Sequence, residues 1–488
     1  MKLDELIRDI PHTGGGEQPV HRIEYNSHKS CAGDLFVCLV GSRIDGHQYA
    51  AHAYENGCRL FLCQHPVDLP DDAVQVITPD TRAALPIISA QFYGHPADRL
   101  KLIGITGTKG KTTTALLIAA ILNSAGHKCA YIGSNGVIID GVHTETVNTT
   151  PESRDLQHYF RLMVDAGTNY AVIEVSSQAL AHHRVDGLPF DTVVFTNLSE
   201  DHIGPGEHPD FDNYRSSKKL LFSDYDSNHM ICNIDDEASA FMTEGYKGQI
   251  VTVGIENAAD YRGTAISKYR TGTALGVEFD CVNGNWNTRV RMMSPGSFSV
   301  YNGLCAIAVC SCYGISKDFS ASVLAKTPVQ GRFEIVEGIP DRTLVIDYSH
   351  NGLSLTKALE TLREYEPANL ICVFGSVGGR TQCRRKELAE AASRYADYCI
   401  ITSDNPDYED PDAIIAEIAS HMAPGARYTC IAKREKAIFE AIRISAPGDI
   451  ILFAGKGHER YQLVSGHKIP FVESNIIKEA CRSLSTVE

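Results

Sequence analysis

Short apolar runs recur along the chain, each followed by a polar turn and a helix-length segment of mixed character. Runs of this kind, bounded by turn residues, predict buried strands rather than helices. In the first hundred residues they are Asp34 to Val40, Leu60 to Cys63 and Val74 to Ile77, separated by helical segments such as Gln48 to Asn56. Phe92 to Arg99, with Gly94 and Pro96, has turn composition and predicts a linker. A second series follows at Lys101 to Ile105, Ala130 to Ile132, Tyr170 to Glu174, Thr192 to Thr196 and His229 to Asn233. Strand and helix alternate there as in a doubly wound parallel sheet. Ile250 to Met293 differs: β-branched and polar residues alternate around Gly272 and the Asn283-Gly284 turn, which predicts an antiparallel ribbon against that sheet. From Val329 onward the strand-helix repeat resumes, with strands at Thr343 to Asp347, Asn369 to Phe374, Tyr398 to Thr402, Tyr428 to Ile431 and Asp449 to Ala454.

A chain of 488 residues exceeds one core and predicts about three domains. The pattern places them at 1–98, 99–328 and 329–488, an α/β protein with a small N-terminal domain, a central P-loop-like parallel sheet and a C-terminal Rossmann-like domain. The net charge of -15 argues against a nucleic-acid backbone as partner. No apolar stretch reaches bilayer-spanning length, and Met1 to Pro11 lacks the apolar core of a signal peptide, so a cytoplasmic protein is expected. The fifteen cysteines fall mostly in or beside apolar runs and read as small core residues. Without a Cys-x-x-Cys pair, structural zinc is not expected.

The densest chemistry lies at Gly104 to Thr114, a glycine-rich turn directly after an apolar run. Successive backbone N–H groups of Gly107, Thr108, Lys109, Gly110 and the first helical residues Lys111, Thr112 and Thr113 can converge on phosphate oxygens. Lys111 can reach the terminal phosphates, and the Thr112 hydroxyl can ligate Mg²⁺. A generic phosphate loop carries a glycine five residues before Gly110, where this chain has Ile105. Ligands of open parallel sheets bind at the carboxyl ends of strands, which singles out Glu174 and His202 as oxygen and nitrogen donors at the same edge.

The ordered motifs Gly33 to Val37, Asp45-Gly46-His47, Gly107 to Thr112, Asn148 to Pro151, Glu174 to Ser177, Phe195 to Leu198, Asp347 to His350, Asp404-Asn405-Pro406 and Gly455 to Glu459 resemble the Mur ligase family, most closely its tripeptide synthetases, over nearly the whole chain. The resemblance implies joining an amino acid to a peptide carboxylate on a UDP-linked sugar, UDP-N-acetylmuramoyl-L-alanyl-D-glutamate. ATP would first phosphorylate the carboxylate, the α-amine would attack the acyl phosphate, and phosphate would leave. In this scheme Lys111, Lys218, Glu174 and His202 are catalytic, and Thr112, Glu174, His202 and Lys218 hold two Mg²⁺ ions, Lys218 as a carbamate. Asn302 would lie near adenine, Arg332 near phosphate and Asp347 near ribose, with a hinge near Lys326 to Gly331.

The resemblance further assigns Tyr25, Ser27 and His47 to uridine and diphosphate, although Asn26-Ser27-His28 departs from the family's Asp-Ser-Arg. Asn148, Thr149, Thr150, Ser176, His182 and Arg184 would meet the glycan and peptide. Arg380, Asp404, Asn405, Pro406, Asp407, Gly455 and Glu459 would meet the free amino acid. Diaminopimelate-adding members carry arginine where this chain has Asp407; an aspartate repels a distal carboxylate and attracts a distal ammonium, which favours L-lysine, then L-ornithine. Phe471-Val472-Glu473-Ser474 lacks the acidic pair frequent in the family. A monomer is expected. The alternatives are a folylpolyglutamate synthetase-like ligase, a ligase for a specialised peptide, and a non-catalytic binding or regulatory protein.

Overall fold

Strands form where the apolar runs predict them, with ends shifted by a few residues. In the computed structural model, which describes residues 1–41, 44–201, 203–204, 206–379 and 383–485, the chain divides into two compact units. The first comprises Met1–Tyr261 and Cys305–Ser316, the second Arg262–Leu304 and Lys317–Glu488.

The first unit holds two sheets. The N-terminal sheet is wholly parallel, in the order Arg22–Glu24, Asp34–Val37, Leu60–Cys63, Val74–Ile77. Its first strand is too short and polar to show in the sequence pattern. The Gln48 to Asn56 segment is a 3₁₀ turn, Gly46–Tyr49, running into helix Ala50–Glu55. Of the expected linker, Phe92 and Tyr93 complete helix Thr81–Tyr93, and Pro96–Arg99 is a 3₁₀ turn. The central sheet runs Gln249–Gly254, His229–Asn233, Phe190–Phe195, Lys101–Thr106, Tyr170–Glu174, Cys129–Gly133, all parallel, and ends in a hairpin of Gly136–Ile139 and Val142–Thr144.

Polar contacts join these sheets. The Tyr25 hydroxyl donates to Asp155, Arg154 Nε donates to the Ile23 carbonyl at 3.0 Å, and Arg82 pairs with Glu152 at 3.4 Å.

In the second unit the sheet order is Glu334–Val336, Thr343–Asp347, Ile450–Ala454, Leu370–Phe374, Tyr398–Thr402, Tyr428–Ile431, parallel except for its first strand. Alternate strand residues enter opposite cores: Val345, Cys372, Ile401 and Leu452 on one face, Ile346, Val373, Ile400 and Phe453 on the other. The expected ribbon is present as Tyr261–Arg270, Leu275–Asn283 and Trp286–Met292, paired antiparallel. It is fastened within this unit by Arg270, whose guanidinium donates to the Gly448 carbonyl at 2.8 Å, and by the Tyr365 hydroxyl, which donates to the Gly276 carbonyl at 2.9 Å.

Arg434 and Glu473, each at most 2% exposed, form an ion pair at 2.6 Å in the second unit. Arg434 Nη2 also donates to the Ala454 carbonyl at 2.8 Å, bracing the end of the strand before Gly455. Breaking a buried pair strands the surviving charge, at a cost of about 3–5 kcal/mol. Glu473→Gln is therefore expected to lower the stability of this unit by about that amount, read from the shift of the urea unfolding midpoint; a loss below about 1 kcal/mol would show the pair to be solvated.

Candidate active site

Strand Lys101–Thr106 and helix Lys111–Ser124 leave Gly107 to Gly110 as the turn between them. Gly107 (φ 148°) and Gly110 (φ 86°) occupy backbone conformations that disfavour side chains, and a Cβ on Gly107 would stand 2.0 Å from Thr196 Oγ1. Asn197 fastens the turn: its carbonyl accepts from Thr108 N–H at 2.8 Å and its side-chain oxygen from Lys109 N–H at 2.9 Å. Thr108 Oγ1 lies 3.0 Å from the Tyr214 hydroxyl, Lys109 pairs with Asp201 at 3.0 Å, and Thr113 is buried in the first helical turn. Lys111 Nζ folds back over the loop, donating to the carbonyls of Gly107 at 2.7 Å and Thr108 at 3.2 Å.

Glu174, the last residue of its strand, is wholly buried and hydrogen-bonded through both oxygens. Oε1 accepts from the Tyr131 hydroxyl at 2.5 Å and from Ser134 N–H at 3.0 Å, and Oε2 accepts from Thr112 Oγ1 at 3.0 Å. Gly133 makes room for it, since a Cβ there would lie 2.2 Å from Oε1. A carboxylate and a hydroxyl in contact beside a phosphate loop are the hard oxygen donors that Mg²⁺ takes.

Lys218, on helix Phe211–Ser223, is 1% exposed. Its Nζ donates to the same Gly107 carbonyl at 3.0 Å and lies 4.5 Å from the Tyr214 ring centre. Burial, then the Lys111 ammonium, pushes its pKa well below the ordinary lysine value, against a weaker pull from Asp201.

These groups border a cavity of about 520 Å³ lined by Arg82, Lys111, Asn148, Thr149, Ser176, His182, Arg184, Glu207 and Lys218, among others. Burial, Arg82 and Arg184 push the His182 pKa down to about 4, so its imidazole is neutral near pH 7 while the two guanidinium groups keep the wall cationic. Glu152 holds Arg184 at 2.9 Å and Arg82 at 3.4 Å. Thr150 Oγ1 donates to the Glu174 carbonyl at 2.7 Å and accepts from Ser176 N–H at 3.1 Å; Thr149 Oγ1 lies 3.0 Å from Ser134 Oγ. The Asn148 to Thr150 loop thus hangs from the strand that carries Glu174.

The N-terminal residues are committed to internal bonds. Tyr25 is tied to Asp155, and Ser27 is buried with its hydroxyl 3.0 Å from His52 Nδ1. Both ring nitrogens of buried His47 are used, Nδ1 with Asp45 at 2.6 Å and Nε2 with the N–H of Gln64 at 2.9 Å. None of the three lines the cavity.

In the second unit Asn302 is buried on helix Ser297–Cys312, and Arg332 lies 4.8 Å from the Tyr348 ring centre. Asp347 accepts from Phe333 N–H at 2.9 Å and from the Ser349 hydroxyl, and burial raises its pKa against the pull of Arg332. Asp404, Asn405 and Glu459 converge on an ammonium the chain itself supplies: Lys456, wholly buried, lies 3.6 Å from Asp404, 2.8 Å from Asn405 Oδ1 and 2.7 Å from Glu459. Asp404 and Glu459, expected to meet the free amino acid, thus both lie against an ammonium of the chain itself. Asp407, after Pro406, has φ 53° and accepts from Gly466 N–H at 2.9 Å, fastening this loop to the hairpin Tyr461–Val464 and His467–Pro470. Gly455 follows strand Ile450–Ala454, beside Lys456. His202 and Arg380 lie outside the described residues.

Sequence reasoning did not assign Tyr131, Ser134, Arg82, Glu152 or Lys456. Ser134 follows a strand end, so the topological rule that selected Glu174 reaches it too. Lys456 sits inside a quoted motif. Arg82 and Glu152 carry no local signal, because their roles depend on how the N-terminal and central sheets meet.

Three family models match the chain: Mur ligase family, catalytic domain, over residues 19–93; Mur ligase middle domain over 105–310; and Mur ligase, glutamate ligase domain over 331–457. Among similar proteins are the UDP-N-acetylmuramoyl-L-alanyl-D-glutamate–2,6-diaminopimelate ligases of Caldanaerobacter subterraneus subsp. tengcongensis, 38% identical over 98% of both chains, and of Syntrophomonas wolfei subsp. wolfei, 37% identical over 99% of both. A solved structure of a ligase with that same name is 26% identical, covers 99% of each chain and superposes with a TM-score of 0.70. The chain belongs to the Mur ligase family and is an ATP-dependent, ADP-forming ligase that joins an acid to an amino acid.

Proposed function

We propose that this protein joins a diamino acid to the D-glutamate carboxylate of UDP-N-acetylmuramoyl-L-alanyl-D-glutamate, a step of peptidoglycan precursor synthesis. The observation that carries this reading is the meeting, in one cavity, of the phosphate-loop Lys111 with Arg82, Arg184 and neutral His182. A substrate carboxylate held there lies against the phosphate cradle. Its oxygen attacks the γ-phosphorus of ATP, the bond to the bridging oxygen breaks and ADP departs. The α-amine then attacks the acyl carbon, phosphate leaves and the amine gives up its proton. Lys111 offsets charge that grows on the transferred group.

Mg²⁺ fits the donor set of Thr112 and Glu174, and when bound it neutralises phosphate oxygens. Lys218 supports a carbamate: a buried amine with a depressed pKa is neutral and nucleophilic toward CO₂, and its addition, with release of one proton, would give an anionic oxygen ligand beside the Gly107 carbonyl. Together with His202 it would hold a second Mg²⁺. Asn302, Arg332 and Asp347 are proposed to contact ATP, and Tyr25, Ser27 and His47 to stand near the UDP moiety only if their internal bonds rearrange.

Asp407 supports L-lysine as the added amino acid. Asp407 lies on the loop after strand Tyr398–Thr402, and a carboxylate there opposes a distal carboxylate and attracts a distal ammonium. The names of the relatives favour a second reading, meso-diaminopimelate.

Phosphate release measured with UDP-N-acetylmuramoyl-L-alanyl-D-glutamate across an amino-acid panel is expected to be fastest with L-lysine, and Asp407→Arg to shift preference toward diaminopimelate by about 1–3 kcal/mol. Faster turnover of diaminopimelate by the unmodified chain overturns the lysine assignment; no release with any amino acid overturns the ligase substrate.

Lys218→Ala is expected to lower kcat by about 10²- to 10³-fold, and CO₂-free buffer to lower wild-type turnover until bicarbonate is restored. Undiminished turnover in both arms removes the carbamate. In CO₂-free buffer the unfolded chain binds a proton at Lys218 that the folded chain does not, so stability rises with pH from the depressed pKa up to about 10.5. Lys218→Met should flatten that slope in urea titrations run at several pH values.

A further inference from the structure

Two loops of the second unit are laced together at the carboxyl end of its sheet. Strands Leu370–Phe374 and Tyr398–Thr402 are parallel neighbours, so the segments that leave them, 375–379 and 403–409, start side by side. Gly378 N–H donates to the Asn405 carbonyl at 2.9 Å, and a Cβ on Gly378 would stand 1.9 Å from the Pro406 carbonyl oxygen. Only glycine permits so close an approach. The next residue completes the lacing: Gly379 N–H donates to Glu409 Oε2 at 3.0 Å. The second loop carries Asp404, Asn405 and Asp407, and the first leads directly into Arg380.

Glu409 is itself held from behind. Arg385, 3% exposed, reaches over from helix Cys383–Tyr395 and donates from Nη2 to the same Glu409 oxygen at 2.6 Å. Its other arm, Nη1, donates to Glu417 on helix Pro411–Ser420. A planar guanidinium engaged at both prongs has little freedom to swing, so it fixes Glu409 as a single-point ammonium would not. The Arg385 guanidinium, then the Gly379 N–H, hold the Glu409 carboxyl below the usual carboxylate range, so the pair stays charged near pH 7.

The two carboxylates on Arg385 are similar in exposure, 34% for Glu409 and 26% for Glu417, yet Glu409 is the one that also bonds Gly379. An ion-pair network that served stability alone would use the two carboxylates interchangeably. A network that aligns the loops depends on Glu409.

We propose that Glu409, fixed by Arg385, is a positioning residue for the amino-acid-binding loops: it sets the 375–379 loop against Asp404 and Asn405 and so determines where the incoming amino acid is gripped. Glu409 acts through the backbone of Gly379. This role rests on the proposed function, in which the two loops meet the free amino acid.

Glu409→Ala and Glu417→Ala each leave Arg385 with one carboxylate, but only the first cuts the bond to Gly379. Steady-state phosphate release by the full-length chain, with whichever amino acid the unmodified protein turns over fastest, measures the consequence. Glu409→Ala is expected to raise KM for the amino acid at least about tenfold, within the roughly 100-fold that a 1 Å misplacement can cost. Its kcat should be nearly unchanged, the pattern of lost ground-state binding, and its KM values for ATP and UDP-N-acetylmuramoyl-L-alanyl-D-glutamate should stay those of the unmodified protein. Glu409→Gln, which keeps the shape of the side chain and loses its charge, should raise the same KM by a smaller factor, and Glu417→Ala should leave it unchanged. An unchanged amino-acid KM in Glu409→Ala, equal rises in both alanine variants, or a parallel rise of all three KM values overturns the role. Because the amino acid is chosen by turnover, an error between lysine and diaminopimelate changes the reagent and not the outcome. Silence of the unmodified protein with every amino acid instead overturns the proposed function, and this role with it.

Discussion

Glu174 is a carboxylate withdrawn from water, and a buried carboxylate must have its oxygens hydrogen-bonded or it costs the fold several kcal/mol. Its partners come from three directions: Thr112 from the phosphate-loop helix, and Tyr131 and Ser134 from the adjacent strand and the turn beyond it. Its own carbonyl accepts from Thr150, which places the Asn148 to Thr150 loop. One ion therefore sets the position of the helix that receives phosphate and of the loop that lines the cavity. A displacement of this strand end would disturb both at once.

The neighbouring cation is treated in the opposite way. Lys218 is buried with a backbone carbonyl as its hydrogen-bond acceptor and with Lys111 close enough to depress its pKa further. An amine facing one carbonyl and a second cation tends to lose its charge. The two residues thus meet burial differently: Glu174 is saturated with hydrogen-bond donors, while Lys218 has the single carbonyl of Gly107.

The parallel strands were legible because buried strands in such sheets are almost uninterrupted apolar runs, and each predicted run became a strand within a few residues. Arg22–Glu24 was not, because a three-residue strand with two charged side chains has no pattern to read. Within the site, residues at strand ends and in the glycine turn could be placed from order alone. Arg82 and Glu152 could not, because their pairing depends on the seating of two sheets encoded some seventy residues apart, as the separation of 70 positions shows. His47 illustrates the converse: its motif was visible, but only the fold reveals that Asp45 and Gln64 occupy both ring nitrogens.

In the second unit an internal ammonium organises the loops that follow two strands of the sheet. Lys456 lies 3.6 Å from Asp404 and 2.7 Å from Glu459, and 2.8 Å from Asn405 Oδ1, so one side chain gathers residues from two separate strand ends. Behind it, the Arg434–Glu473 pair adds no net charge while Arg434 holds the Ala454 carbonyl. Asp407 is engaged from another direction: one of its oxygens accepts from Gly466 N–H and ties the same loop to the hairpin. The loop that carries Asp404, Asn405 and Asp407 is therefore held from two sides, by a buried ammonium and by a hairpin turn, so a substitution at either anchor shifts all three side chains together.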